Sequence, residues 1–186
     1  MTIRIIGGEL KGRKLLTVSG IKTRPTADRV RESIFNILGD SVRGARVLDL
    51  YAGTGAMGIE ALSRGAEFAL FADDHKAALS ALEKNIKTCL LQNRANTIKW
   101  NILKNLNIIR SCTHGFNLVF IDPPYNKNMI QPTLSNLATS QCLENNAQLT
   151  IEHSPLEPVP ENLPGFKIFS QRRYGKTLVS FFTYMV

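Results

Sequence analysis

At 186 residues and 44% hydrophobic side chains, the chain has the length of one domain with an ordinary buried core. Cys89, Cys112 and Cys142 lack any Cys-x-x-Cys spacing and His75, His114 and His153 are isolated, which excludes a disulfide framework and a zinc cluster and fits free thiols in a reducing compartment. Net charge is +8, and residues 1–31 carry eight basic side chains against two acidic ones, a concentrated field that favours a polyanion, nucleic acid above all. No apolar run approaches the ~18–20 residues of a membrane span and no secretory apolar segment opens the chain. A soluble, cytoplasmic monomer without metal or membrane contact is expected.

Residues 3–17 read as a hairpin with a Gly7-Gly8 turn region and a bulge at Gly12. Arg4, Lys11, Arg13 and Lys14 on this ribbon suit phosphate contacts, which position a protein without specifying sequence. Pro25 then blocks an earlier helix start, Thr26 caps a helix striped by Val30, Ile34, Phe35, Ile37 and Leu38, and Gly39 ends it. Arg24, Arg29 and Arg31 fall at its start, where a nucleic acid could enter. Residues 46–51 form a strand that runs into Ala52-Gly53-Thr54-Gly55-Ala56-Met57-Gly58, a glycine turn that lets the backbone approach a ligand, and then a helix ending at Gly65. Its spacing also matches the G-x-G-x-x-G of dinucleotide enzymes, but Asp49 just before it would repel a pyrophosphate and suits an ammonium or water instead. A second strand over 67–73 ends in Asp73, 20 residues after Gly53, the spacing of a carboxylate that holds ribose hydroxyls; Asp74 is the rival. A helix over 75–91 follows, then a third strand over 97–101, where Asn101 and the Ile102 N–H could meet an adenine edge and Trp100 belongs to the core. A short helix over 103–110 leads to the next strand.

Phe116-Asn117-Leu118-Val119-Phe120-Ile121 is a buried strand that must stop at Asp122-Pro123-Pro124-Tyr125, because two prolines offer no N–H and fix φ. An acid, a stiff backbone with set carbonyls and an aromatic ring are thus left at the strand's carboxyl end, where open α/β sheets bind ligands. That set suits transfer to the exocyclic amine of a base. The amine's lone pair is delocalised into the ring. Holding its two N–H groups on the Asp122 carboxylate and the Pro123 carbonyl pulls the nitrogen toward tetrahedral geometry, while Tyr125 stacks on the base, which has left its helix or was unpaired. A helix over 127–137, a fifth strand over 148–152, a Pro-rich loop over 155–164 and a closing hairpin of strands over 167–172 and 177–184 complete a mainly parallel sheet with one antiparallel strand.

These stretches together resemble a family. Arg4-Ile5-Ile6-Gly7-Gly8 with Lys11-Gly12-Arg13-Lys14-Leu15, Arg24-Pro25-Thr26 through Asp28-Arg29-Val30-Arg31-Glu32 to Phe35-Asn36, Leu48-Asp49-Leu50-Tyr51-Ala52-Gly53-Thr54-Gly55-Ala56, Glu60-Ala61-Leu62-Ser63-Arg64-Gly65-Ala66 and the Asp122 loop are similar to the RsmD family of bacterial 16S rRNA guanine-N2 methyltransferases, within class I S-adenosylmethionine-dependent enzymes. The resemblance implies a Rossmann-like α/β fold: a mainly parallel seven-stranded sheet with one antiparallel strand, helices on both faces, and an N-terminal β-hairpin extension over 1–22 before a methyltransferase domain over 23–186. It implies that Asp49, Tyr51, Ala52, Gly53 and Gly55 hold the methionine half of S-adenosylmethionine, Asp73 the ribose, Asn101 and Ile102 the adenine, and Asp122, Pro123, Pro124 and Tyr125 the target amine. It also implies 16S rRNA as partner, in a 30S subunit or assembly intermediate, with a reaction of the guanine-966 type. Asn101 stands where many relatives carry Asp, and His75 where an acid is often seen. The competing readings are a DNA adenine-N6 methyltransferase, for which the chain lacks a sizeable target-recognition segment, a non-catalytic RNA-binding protein, and a nicotinamide oxidoreductase, which Asp49 disfavours.

Overall fold

The computed structural model describes residues 3–18, 28–110, 114–160 and 163–185. Its elements are β1 (Ile3–Arg4), β2 (Lys14–Leu15), α1 (Asp28–Leu38), β3 (Arg46–Leu50), α2 (Ala56–Ser63), β4 (Phe68–Asp73), α3 (Lys76–Thr88), β5 (Ala95–Lys99), β6 (Phe116–Ile121), α4 (Ile130–Ser140), β7 (Leu143–His153), β8 (Phe166–Tyr174) and β9 (Thr177–Tyr184). Pro25, Thr26, Arg24 and Cys112 lie outside the described residues, as does the 22/23 boundary.

Seven strands form one sheet in the order β5-β4-β3-β6-β7-β9-β8. All pairs from β5 to β7 are parallel, and β9 runs antiparallel to both of its neighbours. The expected sheet with one reversed strand is present. The chain starts at β3 and winds outward first through β4 and β5, then through β6 and β7. The switch point therefore lies between β3 and β6, the usual ligand crevice of such sheets. Alternate strand residues feed two cores. Val47, Phe71, Leu118, Phe120, Val179 and Phe181 pack beneath α1, α2 and α3. Leu48, Leu50, Leu70, Val119, Leu149 and Phe182 pack beneath α4 and the loops beside it.

Several boundaries differ from expectation, each for a local reason. β5 begins two residues early, because this polar edge strand is set by its register on β4, Ala69 opposite Ala95 through Asp73 opposite Lys99. The helix expected over 103–110 reduces to a single 3-10 turn at Asn107–Ile109. α4 starts three residues late, because Asn126 and Asn128 adopt left-handed φ of 57° and 54°, a conformation that Asn tolerates and a helix does not. β7 extends five residues further back than expected, with a register shift opposite β6 between Phe116 and Leu118.

The strands of the N-terminal ribbon register Ile3 with Leu15 and Arg4 with Lys14, and beyond them Ile5 N–H donates to the Arg13 carbonyl and Gly12 N–H to the Ile5 carbonyl. The turn between docks on α2. Ile6 and Gly7 donate their N–H groups to the Glu60 carboxylate at 2.7 and 2.8 Å. Leu10 N–H donates to Ser63 Oγ, Ser63 Oγ donates to the Gly7 carbonyl, and Glu9 N–H donates to the Ser63 carbonyl. Gly8 has φ 75°, and a Cβ there would come 1.9 Å from the Ser63 oxygen, so only glycine allows this approach. Ile3, Ile5 and Leu15 complete the core under α1–α3.

Candidate active site

Four carboxylates close four neighbouring strands on one face. Asp49 on β3 lies opposite Phe71 of β4 and Phe120 of β6, and Phe120 lies opposite Thr150 of β7. Two residues further along each strand, hence on the same face, come Asp73, Asp122 and Glu152. The row Asp73–Asp49–Asp122–Glu152, with Asp49 set two residues behind the other three, therefore crosses the switch point toward the carboxyl ends of the strands. Two of the four, Asp49 and Asp122, are perturbed. Burial pushes Asp49 up to about 8, against the one hydrogen bond from Gly58 N–H at 2.9 Å and with a further contribution from Asp73. Burial, then Glu152 and then Asp49, hold Asp122 well above the usual carboxylate range. Two carboxylates whose charged forms are disfavoured by burial, at the ligand end of a sheet, are the electrostatic complement of a cation.

The glycine turn is built against this row. Tyr51, Gly53 and Gly55 all have positive φ (60°, 56° and 84°), so the chain reverses sharply after β3. A Cβ at Gly55 would sit 2.3 Å from Leu82 Cδ1, so the turn packs flat on α3. Asp73 fixes the turn's other side: its two oxygens accept Gly53 N–H and His75 N–H, each at 2.8 Å. Asp73 is buried and tied to the turn, whereas Asp74 is exposed. Ala52 is buried and its N–H reaches the Ala72 carbonyl. The Tyr51 hydroxyl pairs with Thr133 Oγ1 at 2.6 Å and burial raises its pKa, so this side chain joins the turn to α4. Asn101 is exposed and its Oδ1 accepts Leu103 N–H, while Ile102 is buried with its carbonyl bonded to Asn136.

The corner after β6 has the form the two prolines demand. Asp122 is partly exposed, Pro123 buried and Pro124 exposed. No side-chain hydrogen bond to the Asp122 carboxylate occurs among the described residues, so its acceptor positions are open to a ligand. Tyr125 is half-buried, and its hydroxyl donates to Glu152 Oε1 at 2.6 Å and lies 3.1 Å from Thr177 Oγ1. Burial and the Glu152 carboxylate hold the phenol above its ordinary pKa. The ring is thus fixed from β7 and β9. Glu152 and Thr177 were not among the expected site residues; the signal that could have found Glu152 is that it lies at the carboxyl end of its strand, as Asp73 and Asp122 do at theirs.

The basic residues separate. Arg4, Lys11, Arg13, Lys14 and Arg29 are exposed. Arg4 pairs with Asp28 and Arg13 donates to the Thr88 carbonyl. Arg31 does not belong with them: it is 1% exposed, bonds to the Arg4 carbonyl and Asp28, and lies 3.8 Å from Glu60. Burial lowers its pKa against the opposing pull of Glu60 and Asp28. It is a cation in the fold's interior, not a contact for a polyanion. The ribbon's tip is held by Ser63 and by Arg94, which joins Glu9 at 3.0 Å. Those partners precede β4 and β5, so the tip lies at the sheet's amino end, away from Asp122. No helix among the described residues is long and apolar enough to cross a membrane.

Comparison with known proteins agrees with this geometry. Residues 3–183 match the family model described as Conserved hypothetical protein 95. The chain is 37% identical over 180 residues to the Bacillus subtilis protein YlbH, covering 97% of this chain and 98% of that one. It is 37% identical over 163 residues to the Escherichia coli protein named Ribosomal RNA small subunit methyltransferase D, covering 86% and 80% respectively. The solved structure of Escherichia coli yhhF superposes with a TM-score of 0.87 at 29% identity, over 100% of this chain and 99% of that one. With this sheet order and this site, the chain belongs to the RsmD family of class I methyltransferases, which use S-adenosylmethionine as methyl donor.

Proposed function

We propose that the protein methylates the exocyclic N2 amine of a guanine in 16S rRNA, as a step in maturation of the small ribosomal subunit. The observation that carries the reading is the row of carboxylates shared by the glycine turn and the Asp122 corner on adjacent strands, which supports reading them as a cation site beside an amine-holding loop. Relatives named as small-subunit rRNA methyltransferases support the choice of polymer.

S-adenosylmethionine, when bound, supplies a methyl group already activated on a positively charged sulfur. In this reading Asp49 and the turn at Tyr51, Ala52, Gly53 and Gly55 face its methionine half, Asp73 its ribose, and Asn101 with Ile102 its adenine. A cation beside Asp49 and Asp122 favours their ionised forms. Asp122 and the Pro123 carbonyl then accept the two amine hydrogens, Pro124 keeps the backbone rigid, and Tyr125 carries the base on its fixed ring. Alignment at contact distance contributes most of the rate, and the amine loses its proton after alkylation, so no strong base is needed. Arg4, Lys11, Arg13, Lys14, Arg24 and Arg29 are assigned to rRNA phosphates.

The test is incubation with radiolabelled S-adenosylmethionine and 30S subunits, naked 16S rRNA or DNA, followed by digestion and nucleoside identification. Label in N2-methylguanosine from rRNA is expected. Label in N6-methyladenine from DNA, or none in any substrate, would overturn the proposal.

A further inference from the structure

We propose that the turn joining β8 to β9 is an RNA-contacting lip of the site, with Arg172, Arg173 and Lys176 taking the phosphates of nucleotides next to the target base. This rests on the reading of the chain as an rRNA methyltransferase and adds which surface holds the strand near the chemistry.

The charge is not confined to the N-terminus. Residues 163–186 carry Lys167, Arg172, Arg173 and Lys176 and no acid. With the first 31 residues set aside as well, the rest of the chain is slightly acidic, so the positive field sits at the two ends of the sequence. The fold sends those ends to different places. The ribbon tip with Lys11 and Arg13 docks at the amino ends of β4 and β5, on the far side from Asp122. The β8–β9 turn lies at the opposite end, because Leu178 pairs with His153 and Val179 with Glu152, the last residues of β7.

Two hydrogen bonds fix the turn where a strand leaving Tyr125 would run. Thr177 Oγ1 lies 3.1 Å from the Tyr125 hydroxyl, so the residue next to Lys176 touches the catalytic corner. Tyr174 OH lies 2.5 Å from Ser33 Oγ on α1. Exposed Arg29 is one helical turn before Ser33 and on the same helix face, which extends the basic strip from the turn onto α1. Arg172 shares the sheet face of Tyr174, while Arg173 emerges on the other, so the turn offers cations to both sides. Arg172, Arg173 and Lys176 are exposed, and none of them is in an ion pair among the described residues. The two arginines donate only to backbone carbonyls within the hairpin, of Gln171 and Gly175. The row of carboxylates lies just inside the lip. It would repel a bare phosphate, so flanking cations are what an RNA strand needs in order to lie across this end of the sheet.

The experiment compares the full-length wild type with the triple variant Arg172→Ala/Arg173→Ala/Lys176→Ala and with a charge-matched control, Lys76→Ala/Lys84→Ala/Lys87→Ala, on the exposed side of α3. Binding to a 16S rRNA transcript is measured across a salt series, and S-adenosylmethionine binding by calorimetry reports that the site is folded. The lip variant should bind rRNA roughly 10- to 100-fold more weakly at low salt, with a salt slope reduced by about 2–3, since each lost phosphate contact removes close to one unit. It should bind S-adenosylmethionine as the wild type does, while the control loses no more than about threefold in rRNA affinity. Equal losses in the two triple variants reduce the effect to net charge and overturn the proposal, as does wild-type rRNA binding by the lip variant. Loss of S-adenosylmethionine binding together with rRNA binding makes the turn structural and overturns it too. A wild type that neither binds nor methylates rRNA defeats the functional reading itself, which sets that failure apart from the others.

Discussion

Asp49 has 3% of its surface exposed and one backbone hydrogen bond, so in the free protein it keeps a proton up to about pH 8. An unfolded chain has lost that proton near pH 4. Between those values the folded state binds more protons than the unfolded one, so this group makes the free protein less stable as pH rises from about 4 to about 8. A bound cation reverses the preference. S-adenosylmethionine binding should release protons near pH 7, measurable by calorimetry in buffers of different ionisation enthalpy, and its affinity should climb with pH and level off above about 8. Proton uptake, or an affinity flat across this range, would contradict the electrostatic reading of the row. Tyr125 allows a second test at this scale. Tyr125→Phe keeps the ring but leaves the buried Glu152 without its phenol. A hydrogen bond to a charged group is worth about 1.5–3 kcal/mol, so transfer should slow roughly 10- to 100-fold if ring placement matters to rate, with S-adenosylmethionine affinity unchanged. Unchanged single-turnover rates would remove Glu152 from the site.

Among the elements, α2 does two things. Its first turn receives Asp49 at Gly58, and its last turn holds the N-terminal ribbon through Glu60 and Ser63. Glu60 is fully buried, accepts two ribbon N–H groups and Arg64 Nε, and faces the buried Arg31. Glu60→Ala should therefore destabilise by about 3–5 kcal/mol, because it leaves a buried arginine with one carboxylate fewer. Thermal melts should show a drop of roughly 10 °C, and Arg31→Met in the same background should recover part of it. Additive losses in the double variant would show that the two side chains do not depend on each other. None of this was legible from charge counting. Arg31 did carry a signal: with Ile34, Phe35 and Leu38 it occupies one buried stripe of α1, at helical spacing. The central strands were legible because both of their faces are buried and they read as mainly apolar runs, broken only at Asp49 in β3 and Asn117 in β6. The edge strand β5, with Asn96, Thr97 and Lys99, gave no such run, and the late start of α4 depends on backbone choices at two asparagines.

For the molecule as a whole, the mainly parallel sheet followed from the alternation of strands and helices, its one reversed strand from the closing hairpin, and the corner at Asp122 from two prolines after an apolar strand, whereas the strand order needed the fold. The acids at the strand ends were visible one at a time; that they form a single row needed the register of four strands. The polarity of the molecule, acidic within the site and basic at its borders, likewise needed the fold. The claim beneath all of this is a division of labour: the glycine turn and Asp49 hold the donor, and the Asp122 corner holds the acceptor. Asp122→Asn separates them most directly, since asparagine has the shape of the protonated acid that burial favours in the free protein. S-adenosylmethionine binding by calorimetry should stay within about threefold of wild type, while single-turnover methylation of the rRNA substrate falls by at least about 100-fold. Parallel loss of both, or methylation that survives the substitution, would contradict the account.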